Sequence, residues 1–463
     1  MEFLDRIEER KRLETFLSAE SGGVACLYGR RRCGKTRLLR ETLRNRPEAV
    51  LFVSDQSSPP LQRKRLAADL AAAVPGFDRV EYPDWGALLD RWHSDSPSGA
   101  VLVLDEFPYL VKRSPELPSV LQRLADRLPE STRKVVVCGS SQRMMQGVVL
   151  DESAPLYGRC REILHVRPLS WEWTAKAFPS LSPRERLERW AVWGGVPRYW
   201  ELDGGVGDFE NVLRREVFSP LSVLRNEPQF LLLDNISDTV QAASVLTVVG
   251  QGAGRLSEIA ARLGVKATEM PRPLKRLREL GLIEKETPFG ADPESGKHSF
   301  YRVADPFLDF WFRFVQPRLS DEDYLESEED RSSFRRSFSV YLGQVWERLV
   351  RDSVSRRPVP GLPGRWLRAS RWWGAGTNGR PMEVDLAAES ADGRALLVGE
   401  CKLSLTVAEC RHEQAELEAK ARLLPFASRY AAVHTRIFVA GPAPRGTVPI
   451  DWLDEHPMDQ NHA

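Results

Sequence analysis

Gly29-Arg30-Arg31-Arg32-Cys33-Gly34-Lys35-Thr36 is a full G-x-x-x-x-G-K-T, preceded by the apolar run VACLYG (24–29) and followed by the amphipathic TRLLRETLRN (36–45). A strand before and a helix after give this motif its meaning as a phosphate-binding loop. Its glycines let backbone N–H groups turn inward, and the helix N-terminus adds positive potential. The loop from Gly29 to Thr36, with Arg37 behind it, is expected to cradle ATP. Lys35 would reach the β- and γ-phosphates, and the Thr36 hydroxyl would ligate Mg²⁺.

Outward from the loop the same kind of run recurs in VLFVSD (50–55), AVLVLDEF (100–107) and KVVVCGS (134–140). Continuous Val and Leu fit strands buried on both faces, as in a parallel sheet. Asp105 ends one such strand, where a carboxylate holds Mg²⁺, and Glu106 follows as the expected general base for the attacking water. Ser140 and Ser141 end the next strand, either as sensors of the γ-phosphate or as a simple turn.

At 463 residues the chain is long enough for about three domains. Its 66 basic and 65 acidic residues give a net charge of +1, so bulk charge names no partner, and only 12 of the basic residues are lysines. Six cysteines without a C-x-x-C pair and only seven histidines argue against a disulfide framework or a structural zinc site. The charged opening MEFLDRIEERKRLETFL has no apolar signal core, and no uncharged run approaches the length a membrane helix needs. A cytoplasmic protein with no membrane partner is expected.

Four further stretches carry a resemblance. Phe3-Leu4-Asp5-Arg6-Ile7-Glu8-Glu9 resembles the F-x-x-R-x-x-E box of AAA+-related ATPases. Pro155-Leu156-Tyr157-Gly158-Arg159 with Arg167-Pro168-Leu169-Ser170, and Gly194-Gly195-Val196-Pro197-Arg198-Tyr199, resemble the archaeal-type ATPase family, among the STAND and AAA+-like P-loop ATPases. The resemblance covers about residues 1–320. It implies an ASCE/AAA+-like parallel-sheet core over 1–166, with the box framing the adenine, and a helical lid over 167–235. Gly195 and Pro197 would then lie near the nucleotide. Arg159 becomes a phosphate-sensing or trans-acting arginine, or else a structural salt bridge, and ATP binding could drive homo-oligomerisation.

RLSEIAARLGVKATEMPRPLKRLRELGLIEKE (255–286) has the period of a helix-turn-helix, with a turn at Gly264. The turn-rich FGADPESGKH (289–298) makes a wing, so a winged helix is expected over 236–315. Eight basic against four acidic residues over 255–285 suit nucleic acid, DNA before RNA, through Arg272, Lys275, Arg276 and Arg278. A purely structural lid is the even alternative, because Pro271 and Pro273 interrupt the second helix. Seven acidic residues within 321–330 mark a solvated linker or helix face, taken as an acidic linker over 316–335.

The segment 336–463 begins with the amphipathic VYLGQVWERLVRDSV (340–354), which carries Glu347. Asp385 lies on one predicted strand. Glu400 and Lys402 lie on the next and share a face. A hairpin sets Asp385 opposite them, so that two carboxylates bind a divalent ion and Lys402 positions or deprotonates water. This looks like the PD-(D/E)xK nuclease constellation, in an α/β restriction-endonuclease-like domain of the kind appended to these ATPases. Glu347 matches that superfamily's additional acidic position, as a further metal ligand. Glu383-Val384 stands where P-D would begin, and Glu383 could substitute as ligand. Gln414 and Lys420 are weaker candidates. Trp372 and Trp373 are core residues or a stacking surface for a base. The expectation is an ATP-hydrolysing switch coupled to a Mg²⁺- or Mn²⁺-dependent nuclease, in defence or DNA processing. The alternative is an ATP-controlled DNA-binding regulator whose nuclease-like domain is inactive.

Overall fold

The computed structural model describes residues 3–140, 142–235, 239–292 and 299–454. Ser141 and the tip of the expected wing, 293–298, lie outside these residues. Five parallel strands, β1 (Gly23–Tyr28), β2 (Ala49–Val53), β3 (Val101–Asp105), β4 (Lys134–Gly139) and β5 (Cys160–His165), form a sheet in the order β2-β3-β4-β1-β5. β3 and β4 are buried along their whole length, which is why they read as unbroken apolar runs. β5 (CREILH) is an edge strand in which Arg161 and Glu162 interrupt the apolar run, and its sequence hid it. Because β4 lies between β1 and β3, its C-terminal end sits between the phosphate loop and Asp105-Glu106.

Beyond the sheet the chain turns helical. Pro183–Trp193, begun by a Ser182–Glu185 capping box, and Pro197–Asp203 bury Trp193, Tyr199 and Trp200. After Phe209–Leu213 and Glu227–Asn235 three more helices follow, Thr239–Gly250, Leu256–Leu263 and Pro271–Glu279, and then the antiparallel pair β6 (Ile283–Glu286) and β7 (Phe300–Val303). Pro271 and Pro273 do not break the third helix. They occupy its first turn, where a missing N–H costs no intrahelical bond.

Of the two expected forms, the end of the acidic stretch takes the helix face rather than the linker. It is no extended linker: Tyr324 and Leu325 are buried, with Tyr324 edge-on to Phe218 at 4.9 Å. Glu328, Glu329 and Asp330 form the first turn of the helix Glu328–Val354, capped by Ser327, where negative charge is favoured. Arg331 and Arg335 of the same helix pair with Glu210 of the lid at 3.2 and 2.5 Å. This helix crosses the expected boundary at 336 and packs on a second sheet of order β12-β11-β10-β9-β8. Its strands are β8 (Ser370–Ala375), β9 (Pro381–Glu389), β10 (Ala395–Lys402), β11 (Ala432–Val439) and β12 (Val448–Pro449). β8, β9 and β10 form an antiparallel meander; β11 runs parallel to β10 after the crossover helix Val407–Leu423. One hydrophobic core runs from Trp171 of the lid through Phe310 and Trp346 to Trp452.

Candidate functional site

At the C-terminal edge of the first sheet, Gly34 at φ 88 caps the helix Lys35–Leu43. Arg32, at φ 69, holds a left-handed conformation that L-residues seldom adopt. Lys35 is buried and donates to the carbonyls of Gly29 and Arg30, at 2.9 and 3.0 Å. The Thr36 hydroxyl donates to Asp105 Oδ2 at 2.6 Å. A hydroxyl and a carboxylate this close are the hard oxygen donors Mg²⁺ prefers, so the pair fits the ion expected with ATP.

Glu106 is itself left-handed, at φ 52 and ψ 38. Its N–H donates to Asp105 Oδ1 at 2.9 Å, and Ser140 Oγ donates to its Oε1 at 3.0 Å. Strain of this kind persists where the surroundings over-determine a residue. Ser140 thus meets the expected base directly.

Most of the loop arginines are held by residues beyond the first sheet, and Arg31 by the helix that follows β3. Arg30 pairs with Asp305 and donates to Tyr199 Oη at 3.0 Å. Arg32 pairs with Glu227 at 2.8 Å, Arg37 with Glu201 at 3.1 Å, and Arg31 donates to Tyr109 Oη at 2.9 Å. Pro197 opens the helix that carries Tyr199 and Glu201 to these arginines. Cys33 is buried, and its carbonyl accepts from Arg6, which also donates to the Arg167 carbonyl at 2.6 Å. The box residues Phe3, Leu4 and Asp5 line a cleft of about 430 Å³ with Trp173 of the lid.

Arg159 stands apart. It precedes β5, whose first residue pairs beside Val24 at the far end of β1, and it forms an ion pair with Asp126 at 2.8 Å. Six strand residues separate that end from the loop, about 20 Å. Within one chain Arg159 is therefore a structural ion pair, not a phosphate sensor.

In the second sheet the β9–β10 register pairs Leu386 with Gly399, so Asp385 and Glu400 fall opposite each other at the next step. Asp385 Oδ2 accepts from the Cys401 N–H at 2.8 Å. Burial, reinforced by the Asp385 charge, pushes Glu347 and Glu400 each up to about 7. Cations hold the carboxylates: Lys420 is 2.7 Å from Glu400, and Arg351 is 3.4 Å from Glu347 while donating to the Asp385 carbonyl at 2.8 Å. Lys402 pairs with Glu413 at 2.9 Å.

Among the described residues no three metal-ligating side chains converge as a metal centre. The expected ligand set Asp385, Glu400 and Glu347 is corrected accordingly: the first two face each other, and Glu347 is turned to Arg351. Asp385 and Glu400 are oxygen donors that fit a divalent ion once Lys420 withdraws. Glu383 is half-exposed and paired with Arg371 at 2.7 Å. Gln414 donates to Thr435 Oγ1 at 2.8 Å and to Glu418 at 3.0 Å. Trp372 packs on Phe426, whereas Trp373 meets Phe300 of β7.

Residues 3–202 match an ATPase domain predominantly from Archaea. Residues 311–413 match a family described as Archaea bacterial proteins of unknown function. An uncharacterized protein of Methanocaldococcus jannaschii is 30% identical over 403 residues, 86% of each chain. The chain belongs to the archaeal ATPase family. Its ATPase domain binds and hydrolyses ATP. The Walker-type ATPase of Pyrococcus abyssi shares its fold, with a TM-score of 0.52 at 20% identity, over 67% of this chain and 96% of that one. The Aeropyrum pernix ORC1 protein, solved in complex with DNA, aligns more loosely, with a TM-score of 0.37 at 18% identity over 70% and 94% of the two chains. Among the described residues no helix is long and apolar enough to cross a membrane.

Of the residues that tie the later segments to the phosphate loop, Tyr199 was read only as part of the 194–199 motif, and Glu227 and Asp305 escaped the sequence reading. Arg30 and Asp305 are 275 positions apart, and no local pattern announces such a pair.

Proposed function

We propose that the chain is an ATP-driven switch that controls a metal-dependent nuclease in its C-terminal domain. The observation that carries this is the pair of facing carboxylates Asp385 and Glu400, with Lys402 two residues on along the same strand face. The meander follows a long helix and precedes a crossover helix and parallel strand, which supports the nuclease-like reading of the fold. Asp385 and Glu400 would hold Mg²⁺ or Mn²⁺, which when bound would supply charge stabilisation at a scissile phosphate. Lys402 would position the attacking water.

Control has a physical route. Arg30 of the loop contacts Asp305, two residues after β7. On β6, Glu286 pairs with Arg351 at 3.5 Å, and Arg351 holds Glu347 and the Asp385 carbonyl. Phosphates arriving at Arg30 compete with Asp305, so nucleotide state can be relayed through the β6–β7 pair to the carboxylates. The test is cleavage of plasmid, single-stranded DNA and RNA by wild type, Asp385→Ala and Lys402→Ala, with and without ATP. Metal-dependent cleavage lost in both variants is expected; equal cleavage by all three overturns the reading.

A second reading has its own support. Lys420 and Glu413 already engage Glu400 and Lys402, as in a domain kept for interaction, while Arg272 and Lys275 are exposed on the Pro271–Glu279 helix. The chain would then be an ATP-controlled DNA-binding regulator. No cleavage of any substrate by wild type, together with duplex binding, would select it.

A further inference from the structure

Two clefts meet where the β6–β7 pair leans on the second sheet. The outer one, about 490 Å³, is lined by Phe300 of β7, Trp373 and Met382 of the sheet, and Arg255 and Arg371. The inner one, about 240 Å³, shares Phe300 and Arg371 with it and ends at Arg351 and Glu347. Together their walls carry six arginines against four carboxylates, an excess of positive charge in a chain that is nearly neutral overall.

The rings are arranged in a particular way. Phe300 and Trp373 meet edge to face, 5.5 Å between centroids, and both remain part-exposed. Arg255 lies over Phe300 at 5.4 Å, and Arg371 over Trp373 at 5.8 Å. Packing of the hairpin against the sheet accounts for the ring contact, and the ion pair with Glu383 places Arg371, but neither accounts for the open cleft or for Arg255 over Phe300. Flat rings bordered by guanidinium groups match unpaired bases and their phosphates, since every base has a face to stack and every linkage a charge to neutralise. A duplex hides its base faces and cannot use such a surface. The inner cleft leads toward Asp385, because Arg351 at its end donates to the Asp385 carbonyl.

The geometry points to this groove as a binding site for an unpaired nucleic-acid strand, with a base against Trp373 and Phe300 and its phosphates on Arg255 and Arg371. It rests on the nuclease reading only for which end of the groove would react. DNA and RNA strands share the chemistry that the groove recognises.

Binding can be read without cleavage. Fluorescence anisotropy with the full chain in EDTA would compare a labelled 20-nucleotide DNA strand, the matching RNA strand and the DNA duplex. At least one single strand should bind tenfold or more tighter than the duplex. Trp373→Ala and Arg255→Ala should each weaken that strand tenfold or more, while Trp373→Phe stays within about threefold of wild type. Arg255 is exposed and takes no part in the ATPase site, so its variant should keep normal ATP turnover and serves as the control against misfolding of Trp373→Ala. Duplex bound as tightly as either strand, or single-strand affinity unchanged in Arg255→Ala, would overturn the proposal. Strand binding that follows these variants, with no cleavage in Mg²⁺ or Mn²⁺, would leave the groove standing and remove the nuclease.

Discussion

Glu106, the expected general base, has a left-handed backbone, a hydrogen bond from Ser140, and a neighbour, Asp105, that accepts from Thr36. Glu106→Gln keeps the shape and removes proton acceptance, so ATP should still bind while turnover falls roughly 100-fold or more. Lys35→Ala should abolish both. Calorimetry showing tight ATP binding with unchanged turnover in the Lys35 variant would refute the site. At the second site, Glu347 and Glu400 titrate well above the usual carboxylate range. Folding then favours their protonated forms: their contribution to stability is fully present below the ordinary carboxylate pKa and is lost as pH rises through about 7. In EDTA, chemical unfolding should show a decline on the order of 2 kcal/mol between pH 5 and 8, flattened in Glu400→Gln. A flat wild-type profile would show that these carboxyls are not buried as charges.

Among the elements, the lid depends on one close approach. Gly195 packs its backbone against Leu169, whose N–H donates to the Gly195 carbonyl at 2.7 Å, and a Cβ at 195 would overlap the Leu169 carbonyl. Backbone cannot swing aside as a side chain can, so Gly195→Ala should cost about 2–4 kcal/mol. The same variant should weaken ATP binding, because Tyr199 sits on the next helix; an unaltered urea melt would show that the lid repacks freely. The Pro271–Glu279 helix raises a different question. If Arg272 and Lys275 meet phosphates, their joint replacement by Ala should weaken DNA binding and shallow its salt slope, since each neutralised phosphate releases counterions. An unchanged slope in a filter-binding titration would assign the helix a structural role.

For the whole molecule, the telling contact is Arg30 with Asp305, which links the phosphate loop to the end of the β6–β7 pair. Asp305 also caps the helix Pro306–Phe310 by accepting from the Leu308 N–H at 2.9 Å. Asp305→Asn preserves an acceptor for that cap and removes the charge. ATP turnover should stay within a few-fold of wild type, while the ATP-dependent change in hydrogen exchange across β6 and β7 is lost. Persistence of that change would place the relay elsewhere.

The local chemistry of the first site was legible in the sequence because it is local. The G-x-x-x-x-G-K-T loop between strand and helix, Asp105-Glu106 at a strand end and Ser140 at the next each depend on a few neighbouring residues and on a buried strand's apolar signature. The Asp385, Glu400 and Lys402 spacing was legible for the same reason, since alternation along a strand decides which side chains share a face. Tertiary structure alone decided which charges meet across long separations. It turned Glu347 toward Arg351, set Arg159 at the far end of the sheet, and drew the acidic run into a helix cap beside arginines of the same helix. It also merged the lid, the three-helix segment and the C-terminal sheet into one core. The reason is physical: a charge or a ring carries no sequence mark of its partner, which is set by the packing of apolar faces far from it along the chain.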